Sequence, residues 1–511
     1  MEKLSRRALL AFSSLPILSF GFPSALAQGG MGAEELRRAQ DAAQMSGASP
    51  FPELAALESL SGLWDVIVVG SGMAGHCAAL SARESGAKRI LMIDKAPVVG
   101  GHSALANGSI AFVDPRRELK QGLHDSVAKF LQDAESVGGQ IDQTMARFMA
   151  ENSASGLDWL EAQGVRFSPY IFQAYGGGSP RCITAFGNMG GRRYVTQLHD
   201  RLRTQGITSR LLTRAVSVAK LPQGVFELLV VDERSDDRRQ KLRTKSLVLA
   251  TGGFGANMGL RMRYNESLDP EVPTTADPYG LMRDPATGDG LYLAQSLGAA
   301  WVNMDAIVML AYWGGRMLDY QGAELYVDSE GHRFVDETAG WSRIASEIGK
   351  LTTRSMFVIT DARSVKGTNV GAKISAGRIH RAASIAEMAR GMDIPAYELQ
   401  RTIRNYNEHA KTKTPDEFGR RVFAQTIEEP PFYWGQERLM IHATLGGLKT
   451  DRSAHVKRED GSVIEGLFAA GEVAGGIWGR DRLGGTGLLQ ALVLGRTAGK
   501  SAAAFAAARR G

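Results

Sequence analysis

The chain has few cysteines, little charge imbalance and no long apolar run in its interior. Each shortage removes a class of function. Only Cys77 and Cys182 are present among 511 residues, too few for a metal cluster or a haem attachment site. Cys77 falls where a buried helix is expected, so no disulfide between the two is expected. Beyond the N-terminus no stretch approaches the ~18 apolar residues of a membrane span. The formal charge of +6 is a mild bias for a chain of this length. No basic run is interleaved with aromatics as a nucleic-acid groove requires. What remains is a globular balance, 44% apolar and 22% charged, long enough for two or three packed units. The mature chain is therefore expected to hold no metal, bind no nucleic acid and insert stably in no membrane.

The N-terminus does carry an apolar stretch, and it reads as a targeting segment. "SRRALLAF" places Arg6 and Arg7 before an apolar run to Phe22, and "SALA" sets Ala25 and Ala27 as an A-x-A cleavage site. The arginine pair resembles a twin-arginine signal; an ordinary secretory peptide is the alternative. Residues 1–27 are thus expected to be removed and the mature protein to reside in the periplasm. Residues 28–60 read as a linker with one helix near 31–44.

"WDVIVVGSGMAGHCAALSARESGAKRILMIDK" is a complete βαβ unit. A β-branched strand over 64–69 runs into Gly70, Gly72 and Gly75, a G-x-G-x-x-G turn opening a helix, and a second strand over 90–93 ends at Asp94. The first glycine allows the turn, the second lets backbone approach a pyrophosphate, and the third packs helix on sheet. The helix N-terminus offers free N–H groups to phosphates, and an acid at the position of Asp94 takes ribose hydroxyls. Strand, triplet, helix, strand and acid in register specify a dinucleotide far better than the glycines alone. A further buried strand leads into "ATGGF" from Ala250. Near the C-terminus a short strand enters "AAGEVAGG", and a helix is expected after Gly484 and Gly485.

"GSGMAG", "ATGGF", "ATGDG" (286–290), "GHRFVDE" (331–337), "TLGGL" (444–448), "AAGEVAGG" and "RLGG" occur in this order. Together they resemble the FAD-containing fumarate reductase and succinate dehydrogenase flavoprotein family over nearly the whole mature chain. The resemblance implies an α/β fold, a Rossmann-like FAD-binding domain (61–300 and 442–511) interrupted by an α+β capping domain (301–441) that closes over the flavin. It implies FAD held by Gly70, Gly72, Met73, Ala74, Gly75, Asp94, Lys95, Gly101, His102, Ser103, Gly108, Ala250, Thr251, Gly252, Asp289, Gly471, Glu472, Gly485, Gly487 and Leu488. The glycine-rich turn before Thr486 would aim a helix N-terminus at the flavin and stabilise its reduced, anionic form. His102, in "GGHSALANGS", matches the position that is joined covalently to flavin in the succinate dehydrogenase branch. A tether and a non-covalent contact with the ring are both open there.

The cap departs from the family. Its Gln-x-His-Pro motif should fall near Val308 to Leu310, where "DAIVMLAYWGG" is apolar and aromatic. The relay glutamate and arginine should fall near Met317 and Tyr320, and the donor arginine at Trp341, with Arg343 two residues beyond. "IHATLGG" keeps His442 but has Ala443 in the substrate-facing place. Only Arg482 of "RLGG" is where the family has its carboxylate-binding arginine. Fumarate has two carboxylates and its reduction needs an acid, so these losses point to another substrate. Tyr312, Trp313, Tyr320, Tyr326 and Trp341 suggest a larger, less charged, aromatic or cyclic one. The expected activity is FAD-dependent hydride transfer at a C=C or CH–CH bond beside a carboxylate or carbonyl. Arg482 would be the anchor, Arg343 or a tyrosine such as Tyr320 the acid or base, and His442 a weaker candidate. Two alternatives stand beside it: a ketosteroid-dehydrogenase-like desaturase of a cyclic ketone, and an electron-transfer flavoprotein with no substrate of its own. With no haem or cluster ligands in the chain, electrons are expected to come from or go to a separate quinol-linked or cytochrome c-type partner.

Lysine substitution of both Arg6 and Arg7 is expected to retain the flavoprotein in the cytoplasm, and cell fractionation checks this. Unchanged export would leave a general secretory signal in place of a twin-arginine one.

Overall fold

The computed structural model describes residues 56–509, apart from 175, 188–189, 267, 269, 278–283, 319 and 368–369. The expected signal segment, the 31–44 helix and most of the linker lie outside the described residues. The end of that linker is anchored: Leu57 and Leu60 are buried, and the Trp64 indole N–H donates to the Leu60 carbonyl at 2.9 Å.

The βαβ unit forms as the residue pattern requires. Leu63–Val69 is a strand, Met73–Glu84 a helix and Ile90–Ile93 a strand. Both strands are apolar almost throughout because the parallel sheet they join is covered on both faces. Its parallel strands run in the order Val463–Ala469, Ser235–Leu249, Leu63–Val69, Ile90–Ile93 and Thr208–Arg210. His455–Lys457 pairs antiparallel at the far edge. The Ser235–Leu249 strand is long enough to do two jobs. Its first half closes an antiparallel meander with Phe226–Asp232, and its second half enters the parallel sheet and delivers "ATGG" to the carboxyl ends of the strands. That edge is where open α/β sheets bind ligands.

One helix pair organises this half. The C-terminal helix Thr486–Ala508 packs on Met73–Glu84 through small residues. A Cβ at Gly495 would stand 2.6 Å from the Ala74 carbonyl oxygen, and one at Gly499 would overlap the Ala78 carbonyl. The helices thus meet backbone to backbone and run parallel, with both N-termini at the same end of the sheet.

The second sheet is antiparallel and five-stranded. Phe432–Thr444 is its spine, pairing with Ile307–Ala311, with Ser355–Thr360 and with His380–Ala382, while Leu325–Val327 extends the edge. Trp301–Val302 pairs instead with Gly447–Leu448. Helices Ile385–Met392 and Ala396–Thr412 cover one face of the five-stranded sheet through a separate apolar cluster. Ala396–Thr412 starts with Pro395 as its N-cap. Cys77 and Cys182 are both free and buried. No described helix is long and apolar enough to cross a membrane, and no His, Cys, Asp and Glu cluster among the described residues could hold a metal.

Replacing Gly499 by valine is expected to force the two helices apart. Overpacking of this kind costs about 1–3 kcal/mol, so the thermal midpoint should fall by several degrees relative to wild type in a calorimetric scan. An unchanged midpoint would mean that the helix contact is not a constraint on the fold.

Candidate active site

A cavity of about 360 Å³ runs along the carboxyl ends of the parallel strands and ends under the five-stranded sheet. Of the residues expected at the cofactor, Gly70, Gly72, Met73, Ala74, Asp94, Lys95, Gly101, His102, Ser103, Gly108, Ala250, Thr251, Gly252, Asp289, Gly471, Glu472, Gly485, Gly487 and Leu488 line it. Gly75 does not line it. A Cβ there would overlap the Gly70 carbonyl, so its place is in the helix–turn packing. Gly70 itself, at φ +113°, lies against the Ala250 backbone, which seats the turn on the next strand.

Charge along the cavity is paired. Asp94 Oδ2 accepts from the Ser71 N–H and hydroxyl at 2.7 Å each, which ties the glycine turn to the end of the second strand. Asp289 is held by Lys95 at 3.0 Å and Arg214 at 3.1 Å. Burial alone would raise its pKa, but Lys95, Thr287 and Arg214 keep the carboxyl below the usual range. These residues fit FAD. Two helix N-termini face the cavity, Thr251 Oγ1 is buried without a hydrogen-bond partner, and small residues leave room for a flat, extended molecule. The glycine turn and Thr251 would hold the pyrophosphate, Asp94 the ribose, and the Gly485 helix start and His102 the ring system.

His102 sits between two acids. Its Nε2 lies 2.8 Å from Asp284 Oδ1 and its Nδ1 3.8 Å from Glu472 Oε2. Burial would lower its pKa, but the hydrogen bonds and charges of Asp284 and Glu472 raise it to about 10. Thr274 Oγ1 donates to the other Asp284 oxygen at 2.6 Å, and Asp284 stays ionised against its burial. His102 is therefore an imidazolium at neutral pH. Asp284 gave no signal in the sequence, since its partner stands 182 residues away.

At the far end Arg482 and His442 meet. Arg482 Nη2 is 3.3 Å from His442 Nε2, and His442 Nδ1 is 3.1 Å from the Thr275 hydroxyl. Burial, with Arg482 and His102 beside it, lowers the His442 pKa to about 3. The neutral ring accepts from Arg482 through Nε2, so its proton sits on Nδ1 toward Thr275. His442 thus orients Arg482 and, as a neutral imidazole, is not the proton donor at neutral pH. Burial lowers the Arg482 pKa, against the nearby Asp481 and Glu472. Asp481 accepts from the Arg482 N–H at 2.7 Å and from Ser342 N at 2.8 Å, joining Arg482 to the first turn of the Trp341–Lys350 helix.

The expected acids are not at the cavity. Arg343 is exposed on the outer side of the Trp341–Lys350 helix, because the helix turns its Ile344 and Ile348 face inward. The Tyr320 hydroxyl accepts from the Val365 N–H at 3.1 Å, outside the cavity lining, and burial raises its pKa. Trp313 and Tyr326 also lie outside the lining. Leu310, Tyr312, Trp341, Ala443 and Arg316 line the wall instead. The Arg316 guanidinium lies 4.4 Å over the Trp341 ring, a cation–π contact between residues 25 apart that no spacing rule discloses.

The FAD binding domain model matches residues 65–488. The chain is 31% identical over 466 residues to the urocanate reductase of Eggerthella lenta, covering 86% of this chain and 75% of that protein. It is 30% identical over 452 residues to a fumarate reductase (cytochrome) of Shewanella frigidimarina, covering 86% and 77%. Among solved structures, the open conformation of a flavocytochrome c3 fumarate reductase superposes with a TM-score of 0.68 at 27% identity, covering 91% of this chain and 81% of that one. The 3-ketosteroid-Δ4-(5α)-dehydrogenase of Rhodococcus jostii RHA1 shares the fold at a TM-score of 0.66 and 23% identity, covering 88% and 99%.

A histidine whose folded pKa is raised from 6.5 to about 10 adds stability that is complete below pH 6.5 and is lost as pH rises through 10. The difference in unfolding temperature between wild type and His102→Gln should therefore be largest at pH 6.5 and shrink toward pH 10. A difference that does not vary with pH would mean that His102 carries no charge in the folded protein.

Proposed function

This chain belongs to the FAD-dependent fumarate reductase and succinate dehydrogenase flavoprotein family, and on that premise we propose that it is an exported reductase of 2-enoates carrying one carboxylate and an aromatic or cyclic group. Its cofactor is FAD and it is an oxidoreductase acting on CH–CH groups. The observation that carries the finer reading is a pair of guanidinium groups brought to one cavity from the two sheets. Arg482 comes from the FAD-binding half and Arg316 from the half built on the five-stranded sheet. Between them the wall is Leu310, Tyr312, Trp341 and Ala443. That wall suits a planar apolar group better than a second carboxylate. The curated relatives include reductases named for urocanate, fumarate and acrylate, acids that differ in what the enoate carries at its far end.

FAD bound in this cavity supplies a hydride equivalent. The chain's own residues do the rest. Arg482, oriented by neutral His442, takes the substrate carboxylate. Hydride addition at the β-carbon drives charge onto that carboxylate, and two fixed cations, Arg482 and Arg316, stabilise it where water is excluded. Tyr312 gives its hydroxyl proton to the α-carbon. A phenol ionises closer to neutrality than a guanidinium and so is the better matched acid. The His102 Nε2 is engaged by Asp284 at 2.8 Å and protonated, which favours FAD held without a covalent tether. Electrons enter from a separate donor protein or quinol, outside the cytoplasmic membrane.

The test is reoxidation of the photoreduced, purified protein by a panel of fumarate, acrylate, urocanate, cinnamate and a cyclic enone. The aryl acrylates should reoxidise it fastest, and acid precipitation should leave the flavin in solution. Arg482→Met should weaken substrate binding and lower turnover at least tenfold with FAD retained, since a buried partner of a carboxylate is worth several kcal/mol. Tyr312→Phe should lower turnover with binding unchanged. Reoxidation by the cyclic enone alone, or by fumarate above all others, would overturn this assignment.

A further inference from the structure

The segment 312–318 reaches the cavity without belonging to any helix or strand, yet it carries Tyr312 and Arg316 there. Its backbone is held by two buried glutamates. Glu437, in the middle of the Phe432–Thr444 strand, accepts from the Trp313 N–H through one carboxylate oxygen and from the Arg316 N–H, at 2.6 Å, through the other. Glu324 accepts from the Met317 and Leu318 N–H groups at 2.9 Å each. The Lys373 ammonium donates to the Arg316 carbonyl at 2.6 Å. The segment can lie this close to the strand because Gly315 faces it: a Cβ there would stand 2.5 Å from the Gln436 carbonyl oxygen. Glu437 is not among the residues lining the cavity, and it has 0% exposure.

We propose that Glu437 is a positioning residue, holding Tyr312 and Arg316 at the cavity wall through the Trp313 and Arg316 N–H groups and so governing capture of the substrate carboxylate. The proposal rests on the reading above that Arg316 faces the substrate. A carboxylate matches two converging N–H donors. A carboxylic acid matches them less well, because its hydroxyl oxygen carries a donor proton and is a weaker acceptor for the N–H that faces it. The cations acting on Glu437 are Lys373, from the Val370–Ser375 helix, and Arg316 itself; Glu324 Oε2 lies 3.9 Å from Arg316 Nε, and the Arg378 and Arg438 guanidiniums lie 5.1 and 4.6 Å over the Trp313 ring. Opposite Glu437 on the Ser355–Thr360 strand stands Met356, and the Ile307–Ala311 strand has no titratable side chain. On the Trp341–Lys350 helix, Arg343 is exposed and Glu347 pairs with Lys350. Burial outweighs the two cations and two N–H bonds and pushes the Glu437 pKa up to about 7. The neighbouring histidines do not titrate there, His102 lying near 10 and His442 near 3. The support of the segment should therefore be complete above pH 7 and weaken as pH falls through it.

Hydrogen exchange of the FAD-loaded enzyme reads this directly. After division by the intrinsic rates, the Trp313 and Arg316 amides should be protected at least tenfold less at pH 6 than at pH 8. In Glu437→Gln the low protection should hold at both pH values, with FAD content unchanged. In parallel, the Kd for cinnamate, read from the flavin absorbance, should rise at least tenfold from pH 8 to pH 6 in wild type. It should stay high and flat in the variant, while Arg316→Ala binds weakly throughout. Protection that does not vary with pH in wild type overturns the pH dependence of this support. Wild-type protection in Glu437→Gln overturns the role of Glu437 itself. Cinnamate binding by Arg316→Ala at wild-type strength, with the exchange pattern intact, overturns instead the reading that Arg316 faces the substrate.

Discussion

The backbone contact between the Met73–Glu84 and Thr486–Ala508 helices is the constraint from which the site follows. Ala74 and Ala78 on one side and Gly495 and Gly499 on the other let the two axes come together. Because the helices are parallel, the positive ends of both dipoles open into one cavity. One N-terminus suits a pyrophosphate and the other a ring that becomes anionic on reduction. Gln490, one turn into the second helix, donates to the Gly471 and Ala474 carbonyls at 2.9 and 2.7 Å, and accepts from the Trp478 indole at 2.7 Å. The "AAGE" turn is thereby fixed to the same helix.

The second half is held by buried charge. Arg333 and Glu337 of "RFVDE" point away from the cavity into a network with Arg420 and Asp416. Arg333 meets Glu337 at 2.8 Å and Asp416 at 2.6 Å, and Arg420 meets Glu337 at 2.6 Å. A network this dry is costly to break, since removal of one member strands the others. A motif that reads as part of a catalytic signature is here the frame for one. Glu437 and Glu324 extend the same device to the segment that carries Tyr312 and Arg316, using backbone N–H groups in place of arginines.

Two residues join the halves at the chemistry. Asp481 binds both the Arg482 and Ser342 N–H groups, so Arg482 and the helix that begins with Trp341 share one carboxylate. Thr275 reaches His442, and His442 reaches Arg482. The chain of contacts runs from neutral imidazole to buried guanidinium, which leaves Arg482 the charged group at the cavity end. His102, with its own pair of acids, stays charged independently.

The βαβ unit, the strand before "ATGG", the C-terminal helix and the lining glycines were legible in the residues alone. Each rests on a local rule: alternation or runs of apolar residues, a glycine that a turn demands, an acid at a set distance along one strand. Arg482 lines the cavity where the resemblance of "RLGG" put it. The segment 312–318 was not legible. No period governs it, its shape comes from glutamates at 324 and 437, and its arginine finds its place on Trp341 only once the five-stranded sheet has formed. Arg343 failed as a candidate because two residues along a helix rotate a side chain by roughly 200°, from the inner face to solvent. The residue pattern specifies the elements of the cofactor-binding scaffold, because each strand, glycine turn and helix follows from its neighbours along the chain. Which cations line the far end of the cavity depends on tertiary structure, because side chains far apart in sequence converge there and burial sets their charge.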